Sequence, residues 1–201
     1  MRTASGPLHA AVFLDRDGVI IENRADYVRS LAEVQFIPGA LEALADLARR
    51  DWQIVVVTNQ SAIGRGLLTP ETAQAINTHI VEKIASAGGR VDGVYVCPHA
   101  PGEACACRKP APGLLLDAAR DLGIDLSASV MIGDALTDVL AAQAAGAAAI
   151  LVRTGRGETQ APELARADLH HIRVVPDLSA AIEQLDTFKS QSASAASPPA
   201  G

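Results

Sequence analysis

Six short apolar runs punctuate this chain, at 10–14, 53–57, 91–96, 129–132, 147–152 and 172–175. The first, Ala10-Ala11-Val12-Phe13-Leu14, does not alternate apolar with polar residues. It reads as a strand buried on both faces, the kind that parallel sheets contain. Helix-period stretches lie between the runs, at 39–50, 70–87, 112–122 and 135–145, and one more follows at 178–185. Within 39–50, Leu41, Leu44, Leu47 and Ala48 share a stripe that Glu42, Asp46, Arg49 and Arg50 avoid. Thr69-Pro70-Glu71 is a helix start, with Thr as N-cap and Pro in the first turn. Strand and helix in alternation predict an α/β fold, a doubly wound parallel sheet with helices on both faces.

A chain of 201 residues suits one domain, expected over 10–188. The first nine residues and the Ser-, Ala- and Pro-rich segment 189–201 are expected to be unstructured, the latter for want of surface to bury. Aromatic residues are only 3% of the chain, so the core must come from Ala, Val, Leu and Ile. A net charge of −6 argues against a nucleic-acid partner. No apolar run approaches the roughly 20 residues of a membrane span, so no membrane partner is expected. A cytoplasmic monomer acting on a small molecule is the expectation.

The ends of the runs carry the chemistry. After the first stand Asp15-Arg16-Asp17-Gly18. Ligands of open α/β sheets bind at the carboxyl ends of strands, and two neighbouring carboxylates repel unless a cation offsets them. A plain surface turn uses the same residues. After the second run comes Thr58-Asn59-Gln60-Ser61, rich in donors. After the fourth come Gly133-Asp134 and then Asp138, with Asp134 either a third metal-facing carboxylate or a helix N-cap. Arg108-Lys109-Pro110 precedes the third helix-like stretch. Right-handed crossovers bring such ends to one edge of a parallel sheet. Asp15, Asp17 and Asp134 then suit Mg2+, and the Thr58 hydroxyl and Lys109 ammonium are left for phosphate oxygens.

All three cysteines fall in Cys97-x-His99-x5-Cys105-x-Cys107. Three thiolates and an imidazole make a tetrahedral zinc set with no open position, hence a structural site. The Pro- and Gly-containing loop around them has no core of its own; a metal can order it, and that order would fix Arg108 and Lys109.

Taken in order, Asp15-Arg16-Asp17-Gly18-Val19, Thr58-Asn59-Gln60, Lys109 and Gly133-Asp134 with Asp138 resemble the haloacid dehalogenase superfamily of aspartate-based phosphatases, over about residues 12–155. Cys97-Pro98-His99, Cys105-Ala106-Cys107-Arg108-Lys109-Pro110 and Leu151-Val152-Arg153-Thr154-Gly155 resemble its histidinol-phosphatase-like subfamily, the heptose bisphosphate phosphatases above all. The resemblance implies a Rossmann-like fold. The short gaps between motifs leave no room for an inserted cap domain. It implies that Asp15 is the nucleophile, that Asp17 moves protons, and that Thr58 and Lys109 hold the phosphoryl group. Asp15, the Asp17 carbonyl and Asp134 would bind Mg2+. Arg108 would recognise a second phosphate, and Asn23, Arg24, Asp26, Tyr27, Asn59, Gln60 and Ser61 would line the sugar site. The implied activity is removal of the 7-phosphate of D-glycero-D-manno-heptose 1,7-bisphosphate. Histidinol-phosphate phosphatases share the zinc loop, polynucleotide 3′-phosphatases share the Asp-x-Asp-Gly and Thr-Asn motifs, and a non-catalytic zinc-dependent interaction module would need only the four zinc ligands. The chain departs from the heptose pattern at Ile21, where relatives carry Asn, and at Ala135, where many carry Lys.

Overall fold

The computed structural model of the chain describes residues 8–188. Its six strands are β1 (Ala11–Leu14), β2 (Gln53–Asn59), β3 (Gly93–Cys97), β4 (Val130–Gly133), β5 (Ala148–Val152) and β6 (Arg173–Val175). All pair in parallel, in the order β3-β2-β1-β4-β5-β6. Seven helices connect and flank them: α1 (Ala40–Leu47), α2 (Ser61–Gly64), α3 (Pro70–Ser86), α4 (Gly113–Leu122), α5 (Leu136–Ala145), α6 (Gly157–Arg166) and α7 (Leu178–Glu183).

Alternate strand residues feed two separate cores. Val12, Leu14, Ile54, Val56, Val130 and Ile132 pack with Leu44 and Leu47 of α1, Ile76 and Ile80 of α3 and Ile182 of α7. Phe13, Val55, Val57, Met131 and Leu151 pack with Leu115 of α4, Val139 of α5 and Leu164 of α6. A strand buried on both faces has no polar alternation, which is why β1 reads AVFL. The chain winds from β1 outward to β3, then crosses back to lay β4 beside β1. The carboxyl ends of β1 and β4 therefore flank the switch point, where open α/β sheets form a crevice.

Several elements differ from the sequence reading. The strand β2 runs through Thr58 and Asn59, which pair with Val96 and Cys97 of β3. Helix α6 was not expected, because Pro162 lies inside it and Leu164 is its one large buried apolar residue. The stripe of α1 is turned by one position, burying Ala40 and Ala43 with Leu44 and Leu47. Between β1 and α1 lies only one 3-10 turn, Leu31–Glu33. The expected unstructured ends lie outside the described residues apart from Leu8 and His9. His9 is tied down: its N–H donates to Gly123 O at 3.0 Å, and its carbonyl accepts from Asp125 N at 2.9 Å.

Candidate active site

The crevice between β1 and β4 receives Asp15 from the end of one strand and Asp134 from the end of the other. Asp138, one turn into α5, joins them: oxygens of all three carboxylates lie within 4.8 Å of one another. Asp134 is not an N-cap. Ala135 occupies that position, and Asp138 caps it by accepting the Ala135 N–H at 3.0 Å. Gly18, with φ +89°, lets the turn after β1 fold against Asp134; a Cβ there would stand 2.1 Å from Asp134 Oδ2.

Lys109 enters this cluster from below the zinc loop. Its ammonium lies 3.0 Å from Asp15 Oδ1 and 2.7 Å from Asp138 Oδ1, and it donates to the Val57 carbonyl at 2.9 Å. The ammonium is thus ion-paired to two carboxylates and hydrogen-bonded to one carbonyl. Asn59 fixes the backbone of Lys109, donating to its carbonyl and accepting its N–H, each at 3.1 Å. Burial alone would lower the Lys109 pKa, but Asp138 and Asp15 outweigh it and the pKa is raised. Asp15 is pushed up to about 6, by burial first and by Asp138 and Asp17 beside it, against the pull of Lys109. Burial and the nearby Asp15 also raise Asp134. Such a cluster, oxygen-only and strained by its own negative charge, fits a hard dication.

A cavity of about 350 Å³ opens onto the cluster. Asp15, Asp17, Asn23, Arg24, Tyr27, Asn59, Gln60, Ser61, Arg108 and Lys109 line it, as do Asp138 and Arg156. Most of the expected substrate-binding residues therefore meet at one place. Two of the residues expected to contact substrate, Asp26 and Thr58, do not line it. Asp26 is exposed and does not line the cavity. Thr58 lies behind the wall, 1% exposed, its hydroxyl accepting from Gln60 Nε2 at 2.9 Å. The Asp17 carboxylate is outside the metal-facing trio and is turned onto Arg16 and Gln60. Tyr27 is held at φ +64°, an uncommon conformation for an aromatic residue and one that functional loops tolerate. Ile21, the departure in the sugar-facing stretch, is wholly buried and bridges to Phe36, so it packs rather than reaching the cavity.

Arg156 also reaches the cavity, although the sequence reading did not single it out. Its backbone N–H donates to Asp134 Oδ2 at 2.8 Å, and its guanidinium lies 3.2 Å from Asp134 Oδ1. The only hint in the sequence was its position directly after Arg153-Thr154-Gly155. That loop folds over the β1 turn, where Thr154 donates to Gly18 O at 2.7 Å. It brings a cation to Asp134, beside Ala135. A larger groove, about 570 Å³, runs between α3 and β3, but Glu82 is the one charged residue that lines it.

The zinc set also assembles. Sγ of Cys97 lies 3.5 Å from His99 Nδ1, 3.9 Å from Cys105 Sγ and 3.0 Å from Cys107 Sγ, and His99 Nδ1 lies 3.2 Å from Cys107 Sγ. Tetrahedral bonds of about 2.3 Å set neighbouring sulfurs about 3.8 Å apart, so the spread fits one zinc ion. The Cys107 thiol is pushed up to about 12 by burial and by the adjoining thiols, so metal entry must expel protons. Arg108 is tied to this loop by its Nη1, which donates to the His99 carbonyl at 3.1 Å.

The HAD-hydrolase-like family model matches residues 106–181. The D-glycero-beta-D-manno-heptose-1,7-bisphosphate 7-phosphatase of Bordetella bronchiseptica is 43% identical over 175 residues, covering 87% of this chain and 96% of that protein. The Escherichia coli enzyme of the same name is 39% identical over 182 residues, covering 87% and 94%. Among solved structures, the D,D-heptose 1,7-bisphosphate phosphatase of B. bronchiseptica, complexed with magnesium and phosphate, superposes with a TM-score of 0.82 at 42% identity, covering 89% of this chain and 98% of that one. The chain therefore belongs to the HAD-like hydrolases, in the family of the D-glycero-beta-D-manno-heptose-1,7-bisphosphate 7-phosphatases.

Proposed function

We propose that the protein removes the 7-phosphate of D-glycero-D-manno-heptose 1,7-bisphosphate through a phosphorylated Asp15. One observation carries this reading: a single cavity is lined both by Asp15 and Lys109 and by three further cations, Arg24, Arg108 and Arg156. A monophosphate needs one anion site, whereas a bisphosphate needs two. Histidinol phosphate carries no second anion for those guanidinium groups.

Asp15 attacks phosphorus, and the alkoxide of the sugar leaves as Asp17 gives it a proton. Asp17 then takes a proton from the water that cleaves the acyl phosphate. Lys109, ion-paired to Asp15 and Asp138, offsets the negative charge of the incoming phosphate. Asn59 holds that lysine in line. Thr58 acts through Gln60, which it orients by accepting its amide N–H. Arg108, carried by the zinc loop, suits the 1-phosphate with its planar fork. Asp15, Asp134 and the Asp17 carbonyl would hold Mg2+, with Asp138 close by; when bound, the ion compensates charge on the phosphoryl oxygens. Cys97, His99, Cys105 and Cys107 would hold Zn2+ in a structural role.

The test is a comparison of kcat/KM for heptose 1,7-bisphosphate, fructose 1,6-bisphosphate and histidinol phosphate, read by phosphate release in Mg2+. The heptose substrate is expected to lead. A preference for histidinol phosphate overturns the substrate assignment and leaves the reaction class standing.

A further inference from the structure

We propose that Arg16 is a positioning residue that fixes the Asp17 carboxylate, and that Asn77 of α3 anchors it. The inference rests on the proton-transfer role of Asp17 proposed above. Arg16 is 1% exposed and lies behind the cavity wall. A guanidinium so deeply buried is costly unless its donors are met. Its Nε donates to Asp17 Oδ2 and its Nη2 to Asp17 Oδ1, both at 3.1 Å. One hydrogen bond leaves a carboxylate free to swivel about its Cβ–Cγ bond. Two parallel ones set its plane.

The same guanidinium governs Gln60. Nη2 also donates to Gln60 Oε1 at 3.0 Å, so the amide nitrogen of Gln60 must face the other way. There it donates to Asp17 Oδ2 at 2.8 Å and to Thr58 Oγ1 at 2.9 Å. Arg16 thus orients Asp17 twice, directly and through Gln60. The remaining arm, Nη1, donates to Asn77 Oδ1 at 2.8 Å. Asn77 is a polar residue on the buried face of α3, among Ala73, Ile76 and Ile80, where neither helix propensity nor burial favours it. Holding Arg16 accounts for it. A buried ion pair adds little stability over an apolar replacement, so stability alone does not explain a buried arginine between the nucleophile and the acid.

The experiment compares two leaving groups in the holoenzyme. A sugar alkoxide must be protonated as it departs, whereas the phenoxide of p-nitrophenyl phosphate leaves without help. Because acid–base assistance contributes about 100-fold or more, Arg16→Met should lower kcat/KM on the heptose bisphosphate roughly 100-fold, change KM less than about threefold, and lower kcat/KM on the aryl phosphate less than about tenfold. Arg16→Lys keeps the charge without the fork and should retain most of the deficit. Asn77→Ala should show the same selectivity between substrates with a smaller loss, and it carries the test if Arg16→Met fails to fold. Equal losses on both substrates, a wild-type Arg16→Lys enzyme, or unaltered selectivity in Asn77→Ala would each overturn the proposal. Asp17→Asn is the control: equal losses of kcat/KM on both substrates there would remove the acid role itself, and the clamp with it.

Discussion

Gly18 and Arg108 show how closely single residues are tied to this site. Gly18 combines a positive φ with a closest approach that leaves no room for a methyl group, its would-be Cβ meeting Asp134 Oδ2 at 2.1 Å. Ala at such a φ costs about 1 kcal/mol in backbone strain. The larger effect is displacement of Asp134. Gly18→Ala is therefore expected to weaken Mg2+ binding, measured by calorimetry, and to lower kcat at fixed Mg2+ at least about tenfold, since small misplacements of catalytic groups are costly. Near-normal Mg2+ affinity in that variant would show that Asp134 is not a ligand. Arg108, by contrast, touches the cavity with an arm tethered to His99 O. Arg108→Ala should raise KM for a bisphosphate far more than for a monophosphate, because losing a charge-assisted fork costs about 1.5–3 kcal/mol only where its anion exists. Equal KM changes would assign the second anion site elsewhere, with Arg156 the candidate. Asp15, Lys109 and the cysteines were legible because their residue types and spacings dictate chemistry. Arg156 was not, since an exposed arginine after a glycine carries no signal until the fold brings it to Asp134.

The zinc loop is the element whose meaning depends most on its neighbours. That its three cysteines and His99 form one cluster was readable from spacing alone; its attachment to the neighbouring sheet edge was not, because that attachment runs through backbone groups. Cys97 O accepts from Gln60 N at 2.8 Å, and Pro98 O accepts from Gly64 N at 2.8 Å. The close of the loop packs so tightly that a Cβ on Gly113 would stand 2.2 Å from Ala106 O. Strand boundaries were blurred for a similar reason. Thr58 and Asn59 read as turn residues, yet β2 continues through them because β3 offers partners up to Cys97. A zinc ion held there would therefore order not only its loop but also the frame of Gln60 and Arg108. Stripping that site with a zinc-selective chelator, with Mg2+ then restored, should raise KM for the bisphosphate several-fold. Amide exchange should quicken in 98–111 while β1 and β4 stay protected. Loss of protection across the whole sheet would mean that the metal holds the domain together rather than the loop.

At the scale of the molecule, the doubly wound parallel architecture was readable because parallel strands buried on both faces leave apolar runs, and because the runs alternate with helical stripes. What the sheet does with charge could not be read that way. It buries Asp15, Asp134 and Asp138 together and gives the first of them a pKa raised from an ordinary 3.8 to about 6. A carboxyl that holds its proton more tightly when folded makes the folded state bind more protons than the unfolded one across that window. Stability of the metal-free protein should then fall as pH rises from about 4 to about 6, and stay low above it. Asp15 thus sits at a stability cost that a bound dication would relieve. Asp15→Asn deletes the charge with little change of shape. In chelator at pH 7–8 it should be more stable than wild type by up to about 3 kcal/mol, since a shift of one unit is about 1.4 kcal/mol. Below about pH 4 the two proteins should converge. Adding Mg2+ should raise the melting temperature of wild type well above its value in chelator and move the variant far less, while turnover of the variant stays abolished. A thermal-shift series over pH, with and without Mg2+, reads all of these effects together. If Asp15→Asn is instead the less stable protein in chelator at pH 7–8, the pairing with Lys109 outweighs the burial of the carboxylate, and the metal is not what relieves it.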